Sequence, residues 1–407
     1  MTTAFSDARY GQAPVYYRTR AALTFSAPMF TNALIMPYFP VWLKSLSLAD
    51  WQIGMITGVP LIVRVIVAPI VAALSDRIGE RAVVLFWSGV MSVITFGALF
   101  YTVAFWPVLL VYGILGAFYS PYTPIAESLM MTGARRWRYN YGHMRMWGSL
   151  TFVVSTLLGG FLIGSDGASM VLPSVLFGFF LTVLGGLIAP RTGQSRLKPI
   201  PAPAVVPPSE RVFRKPDFLL VMIGVTLSAS SHAMLYTFST IYWEQIGFTG
   251  SQIGIFWSAG VLAEVCVFMI SGWLLRHFSV WQLIFAGTLM SIVRWSTFPL
   301  IHSFWLFIPL QCLHAFTFAT AHLGLQATIV NRVPENQEAT AQGLYFFYGN
   351  VFLAASTFFC GFVFSRFGGT GFLFMCLLAM AGTLSVLAAW LLQPHRRASG
   401  GKTSESR

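Results

Sequence analysis

Four ionisable side chains, Arg64, Glu127, Glu264 and Arg294, lie inside long apolar runs, joined there by His232, His314 and His322. A charge in hydrocarbon costs at least several kcal/mol unless it faces a cavity or a partner. These residues therefore read as a binding or coupling set, with interhelical ion pairing as the plainer alternative. Two acids balance two arginines, so the set can pair internally. An arginine fork suits a carboxylate or two neighbouring hydroxyls, and a carboxylate or imidazole shielded from water can carry a proton. Glu127 and Arg145 form a second candidate pair, eighteen residues apart across one polar loop. The plainer reading of Arg145 is a membrane-anchoring cation in series with Arg135, Arg136 and Arg138. His314 and His322 fall about 12 Å apart along a regular helix and roughly 80° apart around it. They need not share a face, so no metal site is expected. No Gly-x-Ser-x-Gly, His-Glu-x-x-His or Cys-x-x-Cys occurs, and Gly401-Lys402-Thr403 has Arg396 where a phosphate loop needs glycine. An enzyme, a primary pump and a bound cofactor are all unexpected.

The elements that must hold these residues are membrane helices. Only 9% of the 407 residues are charged, against 56% hydrophobic, where a soluble domain carries roughly a quarter charged. Twelve apolar spans are expected, at about 19–43, 51–74, 82–104, 107–130, 145–165, 169–190, 217–243, 250–275, 280–300, 304–330, 341–365 and 370–392. The net charge of +12 would suggest nucleic acid in a soluble chain. Here 21 Lys and Arg fall on one set of alternate loops and only Lys44 and Arg366 on the other. The positive-inside rule accounts for that bias, places both termini in the cytoplasm of an inner-membrane protein, and leaves no call for nucleic acid. The polar stretch before the first span lacks the pattern of a removable signal peptide. Cys266, Cys312, Cys360 and Cys376 lie in apolar runs and read as reduced core residues.

Residues 191–215 contain Pro199, Pro201, Pro203, Pro207 and Pro208, which favour an extended linker. It separates two six-helix halves, 1–190 and 216–393, and a tail over 394–407 is expected to be disordered. The halves are repeats: Gln52-Ile53-Gly54 recurs as Gln252-Ile253-Gly254, and Arg64 aligns with Glu264. Such repeats build a site near the bilayer midplane. Arg64 and Glu264 are therefore expected to face one another across a central cavity.

The run Ala73-Leu74-Ser75-Asp76-Arg77-Ile78-Gly79-Glu80-Arg81 resembles the signature between helices 2 and 3 of the major facilitator superfamily. Within it Asp76, Arg77, Gly79 and Arg81 are expected to act in gating, Asp76 against a helix N-terminus and Gly79 in a tight turn. The copy in the second half keeps Arg276 but has Leu275 in place of the acid. Almost the whole chain is similar to the phenylpropionate permease group of that superfamily, and more distantly to lactose permease. The likeness rests on Pro40–Lys44, Tyr141–Ser149, Ser231-His232-Ala233, Ser239–Trp243, Gly260–Val265, Val293-Arg294-Trp295, Leu313-His314, Thr317-Phe318 and His322.

The resemblance implies an all-α integral membrane protein of major facilitator fold, with twelve transmembrane helices in two pseudo-symmetric halves around a central cavity. It implies a monomeric, proton-coupled symporter of a small aromatic carboxylate, whose partners are that substrate, protons and membrane lipid. A sugar or nucleoside is the alternative cargo, since Glu127 and Arg145 resemble the lactose permease pair that holds a sugar hydroxyl. A non-transporting membrane sensor is the alternative of a different class. Arg294 and His314 match the lactose permease pattern, but Val261 and Thr317 stand where two of its acids belong. Glu264, one turn beyond Val261, is expected to inherit the coupling role. Whether Glu127 or Glu264 carries the proton stays open.

Overall fold

The computed structural model describes residues 12–193, 212 and 215–393. Most of the Pro-rich linker and the whole of the tail lie outside the described residues, as does the side chain of Asp76. In the first half of the chain α1 is Tyr17–Ser45, α2 Asp50–Ile78, α3 Arg81–Gly97, α4 Phe105–Tyr119, α5 Tyr122–Trp137, α6 Tyr141–Asp166 and α7 Val171–Ile188. In the second, α8 is Pro216–Ser230, α9 Ala233–Gln245, α10 Gly250–Met269, α11 Ser271–His277, α12 Val280–Thr297, α13 Phe304–Cys312, α14 Ala321–Arg332, α15 Glu335–Phe367 and α16 Phe372–Leu391.

The protein is an all-helical membrane protein. Among the described residues ten stretches are long and apolar enough to cross a membrane, against twelve expected. One of them, Thr340–Leu391, holds both α15 and α16. The first helix, α1, is not among the ten. Its 29 residues suffice by length,, but its Arg, Thr, Ser and Asn side chains dilute its hydropathy. The pairs α4–α5, α8–α9 and α13–α14 are single spans broken by a turn. The repeated Gln-Ile-Gly has a local cause. Gln52 Oε1 accepts the Ala49 N–H and Gln252 Oε1 accepts the Thr249 N–H, each at 2.9 Å. Both glutamines thus start a helix by satisfying an amide that the helix itself leaves unpaired.

The chain divides into two compact units. Unit 1 comprises Met1–Pro199 with Leu235–Ser258 and Thr357–Ser365. Tyr17, Phe25, Leu85, Tyr122 and Leu129 are buried in its core. Three of its buried tyrosines donate to a carbonyl on another helix: Tyr17 to Leu129, Tyr38 to Thr156 and Tyr122 to Thr182, at 2.6–2.8 Å. A phenol can occupy an apolar interior when its hydroxyl finds such an acceptor. The α10 segment joins this unit because Gly160 and Gly164 of α6 meet the backbone of Gly250, where a Cβ on Gly160 would collide with the Gly250 carbonyl,.

Unit 2 comprises Ile200–Met234, Ala259–Ser356 and Arg366–Arg407. Phe218, Val225, Ile284, Leu325 and Val386 form its core. The expectation of core thiols holds for Cys360 alone. Cys266 is exposed and Cys312 and Cys376 are half-buried, all four being free. A membrane helix is apolar on its outer face too, so an apolar run by itself does not imply burial.

Candidate functional site

In unit 2, α12 delivers Arg294 into the interior, where it is fully buried. Its Nη2 donates to Gln311 Oε1 at 2.8 Å, and its Nη1 to Thr317 Oγ1 and His314 Nδ1, each at 3.2 Å. Its guanidinium carbon lies 4.8 Å from the centroid of Trp295, a favourable cation–π approach. Guanidinium only donates, so His314 Nδ1 must accept and the ring proton must sit on Nε2. That nitrogen stands 3.4 Å from Glu264 Oε2. On the other branch, His232 Nδ1 is 2.9 Å from the Ala229 carbonyl, which only accepts,. His232 Nε2 therefore accepts, and the Thr317 hydroxyl, 2.9 Å away, donates to it. The Arg294 guanidinium thus sets the tautomer of His314 and the Ala229 carbonyl that of His232, and the chain ends on a carboxylate at one side and a carbonyl at the other.

Alpha helix α13 runs into α14 through a π-helical turn over Ala315–Thr320. Such turns recur at functional sites, and this one corrects an expectation. His314 and His322 do share a face. Both stack on Phe318, with centroids 5.6 and 5.8 Å apart and planes 4° and 9° from parallel. A π turn advances by less than the usual 100° per residue, which removes the roughly 80° offset of a regular helix. His322 Nδ1 lies 2.9 Å from the Tyr345 hydroxyl.

In unit 1, Arg64 of α2 lines a cavity of about 220 Å³ together with Asn32, Pro60, Leu61, Tyr112 and Tyr119. The Tyr119 hydroxyl is within donating distance of the Pro28 carbonyl, 3.0 Å, and of Asn32 Oδ1, 2.9 Å. A cation, an amide and two phenols therefore line one space, together with the hydroxyl residues Ser120 and Thr123 and an apolar stretch that includes Pro60 and Leu61. Elsewhere in this unit Glu127 Oε1 accepts from Arg145 Nη1 at 2.9 Å and also from the Tyr141 hydroxyl. Arg145 lies 5.6 Å over the Phe25 ring. The Tyr141 phenol and the Arg145 guanidinium thus share one carboxylate oxygen.

Around the signature loop, Gly79 adopts φ +73° as the cap of α2 and its N–H donates to the Ser75 carbonyl at 3.0 Å. A side chain would be strained there. Arg81 Nη1 donates to Thr132 Oγ1 at 2.8 Å, fastening α3 to α5, while Arg77 is exposed.

The structure thus assembles His232, Glu264, Arg294 and His314 in one network, sets His322 beside it, joins Glu127 to Arg145, and gives Arg64 a cavity. Sequence reasoning missed Gln311, Asn32, Tyr119, Tyr141 and Tyr345. For the two amides a signal existed, since an uncharged polar side chain in an apolar span also needs a partner. The tyrosines gave none, because Tyr is common at membrane interfaces for other reasons.

The profile of the MFS_1 like family matches residues 31–376. The chain is 29% identical over 379 residues to the "Probable 3-phenylpropionic acid transporter" of Escherichia coli (strain K12), covering 88% of this chain and 94% of that one. It is 23% identical over 380 residues to the maltose permease of Geobacillus stearothermophilus, covering 91% and 93%. Its fold is similar to the crystal structure of the nucleoside transporter NupG, with a TM-score of 0.77 at 12% identity over 93% of this chain and 100% of that one.

Proposed function

The chain belongs to the MFS_1 like family and is a multi-pass membrane transporter of the major facilitator type, and from that premise we propose that it is a proton symporter of a small aromatic carboxylate. The observation that carries the coupling is the directed chain from Arg294 through His314 to Glu264. His314 cannot become imidazolium without breaking its bond from Arg294, since Nδ1 already accepts a proton-bearing nitrogen that never releases its proton. Glu264 is then the group in this network able to take up and release a proton while the rest keeps its bonds. Glu127 is bound by two donors and is the poorer carrier.

For the cargo, Arg64 supplies a charge-assisted partner for a carboxylate, and apolar Pro60 and Leu61 suit a ring. The cavity's 220 Å³ is below the roughly 300–1,000 Å³ of sites for drug-sized ligands, which favours one ring and a carboxylate over a disaccharide or nucleoside. The E. coli relative is named as a probable transporter of such an acid. The transporter works as a monomer in the cytoplasmic membrane, with both termini and the 191–215 linker on the cytoplasmic side. Cleavage of that linker by protease added outside intact cells would contradict the topology.

The test is uptake into proteoliposomes holding the purified protein. With the exterior made acidic, 3-phenylpropionate should accumulate above equilibrium and alkalinise the outer medium. Exchange of maltose or uridine, with none of the aromatic acid, would replace this reading by the sugar or nucleoside one. Binding without movement of any of the three would mark a sensor.

A further inference from the structure

Unit 1 has a second cavity, of about 610 Å³, at the start of α1 and α6. It shares no lining residue with the Arg64 cavity. We propose that it binds an anionic phospholipid, with the headgroup phosphate held by Arg18 and His143 and one acyl chain laid along α6.

The charge argument comes first. Arg18 and His143 line the cavity, both exposed, and no Asp or Glu is among its described lining residues. Arg18 is held in place by the Tyr139 ring, 6.0 Å from the guanidinium carbon, and Tyr139 is itself stacked on buried Tyr17 at 5.7 Å. Among the described residues the cation is thus positioned by an aromatic contact, and no acid is paired with it. His143 offers a ring N–H donor in either protonation state.

The shape argument separates a lipid from a free ion. Leu23, Met146 and Trp147, on the cavity wall, are 52–54% exposed, so the space is polar at one end and apolar along its side. His143, Trp147, Leu150 and Val154 recur at steps of four, three and four residues, the spacing of one helix face. The last three are about half exposed. A donor therefore caps a lipid-facing apolar stripe, which matches a headgroup followed by a chain. The basic-residue bias assigns this end of the bundle to the cytoplasmic leaflet, where basic pockets between membrane helices hold anionic headgroups. Trp and Tyr at the same level fit the interfacial zone.

The test uses the full chain, purified in a neutral detergent and weighed by native mass spectrometry with phosphatidylglycerol, with phosphatidylcholine of the same chains, and with inorganic phosphate. Phosphatidylglycerol should be retained about tenfold better than phosphatidylcholine, and millimolar phosphate should not displace it. The double variant Arg18→Gln with His143→Gln should reduce that preference to within about twofold, while Arg18→Lys keeps most of it. Trp147→Ser should weaken retention of both lipids without changing the preference. Substrate exchange in the variants reports that the fold is intact. Equal retention of the two lipids by the unmodified protein, or a preference unchanged in the double variant, overturns the proposal. Displacement by phosphate alone overturns it as well, by making the ligand a free anion.

Discussion

Arg64 in unit 1 and Arg294 in unit 2 carry the same charge in spans of the same kind, yet their surroundings differ. Arg294 is fully buried and commits its terminal nitrogens to Gln311, Thr317 and His314. Arg64 lines an open cavity beside an amide and a phenol. A buried cation whose terminal nitrogens donate to three side chains holds those neighbours in place; the Arg64 side chain instead forms part of a cavity wall. Identical residues thus meet different surroundings according to which groups the fold places around them.

The strongest way to break this comparison is to remove each guanidinium. Arg294→Gln should cost about 3–5 kcal/mol of stability, because Gln311, Thr317 and His314 would lose their buried, charged donor,. Its melting temperature in detergent should fall by many degrees. Arg64→Gln should leave melting nearly unchanged but weaken binding of 3-phenylpropionate by about thirtyfold or more, for a charged contact worth about 2 kcal/mol, and abolish both accumulation and exchange. If the two variants behave alike in both measurements, the distinction between positioning and binding arginines is wrong.

Next comes Glu264→Gln, which keeps size and hydrogen bonding but cannot release a proton. Uphill accumulation should disappear while exchange of internal for external substrate persists. An accumulating Glu264→Gln protein would move the proton site elsewhere. Thr317→Val sharpens the network reading further. It removes the hydroxyl between Arg294 and His232 at nearly constant volume, leaving His232 Nε2 without its donor, and should cost about 1–3 kcal/mol. Substrate affinity should stay within a few-fold. The smallest effect is expected at Gly79→Ala, at the cap of α2 and about four turns along it from Arg64,. Forcing a Cβ into φ +73° should cost about 1–2 kcal/mol, seen as a modest melting shift with affinity and accumulation ratio unaltered. A change in the ratio there would tie the loop to coupling.

The chemistry-bearing residues were legible because membranes make polar groups expensive. Arg64, Glu264, Arg294 and the three histidines stand out from apolar runs by type alone. Their partners were harder to see. Gln311 and Asn32 carry no charge, and Tyr119 and Tyr141 come from helices whose packing no local pattern reveals. The stacked pair His314 and His322 was misplaced because a π turn changes the angular step, and nothing in Ala315–Thr320 announces one.

What the sequence by itself determined was the solvent and the family: the apolar spans, the repeated glutamine starts at Gln52 and Gln252, the signature loop with Gly79, and the transporter fold. These depend on hydropathy and short-range backbone chemistry, which act within a few turns of one helix. Only the tertiary structure decided which arginine is enclosed and which meets a cavity, which histidine nitrogen bears the proton, and that Tyr141 joins the Glu127 pair. Those outcomes depend on donors and acceptors far apart in the chain, such as the 85 residues from His232 to Thr317. A hydrogen bond is specified by position and direction at both ends, and folding alone brings the two ends together.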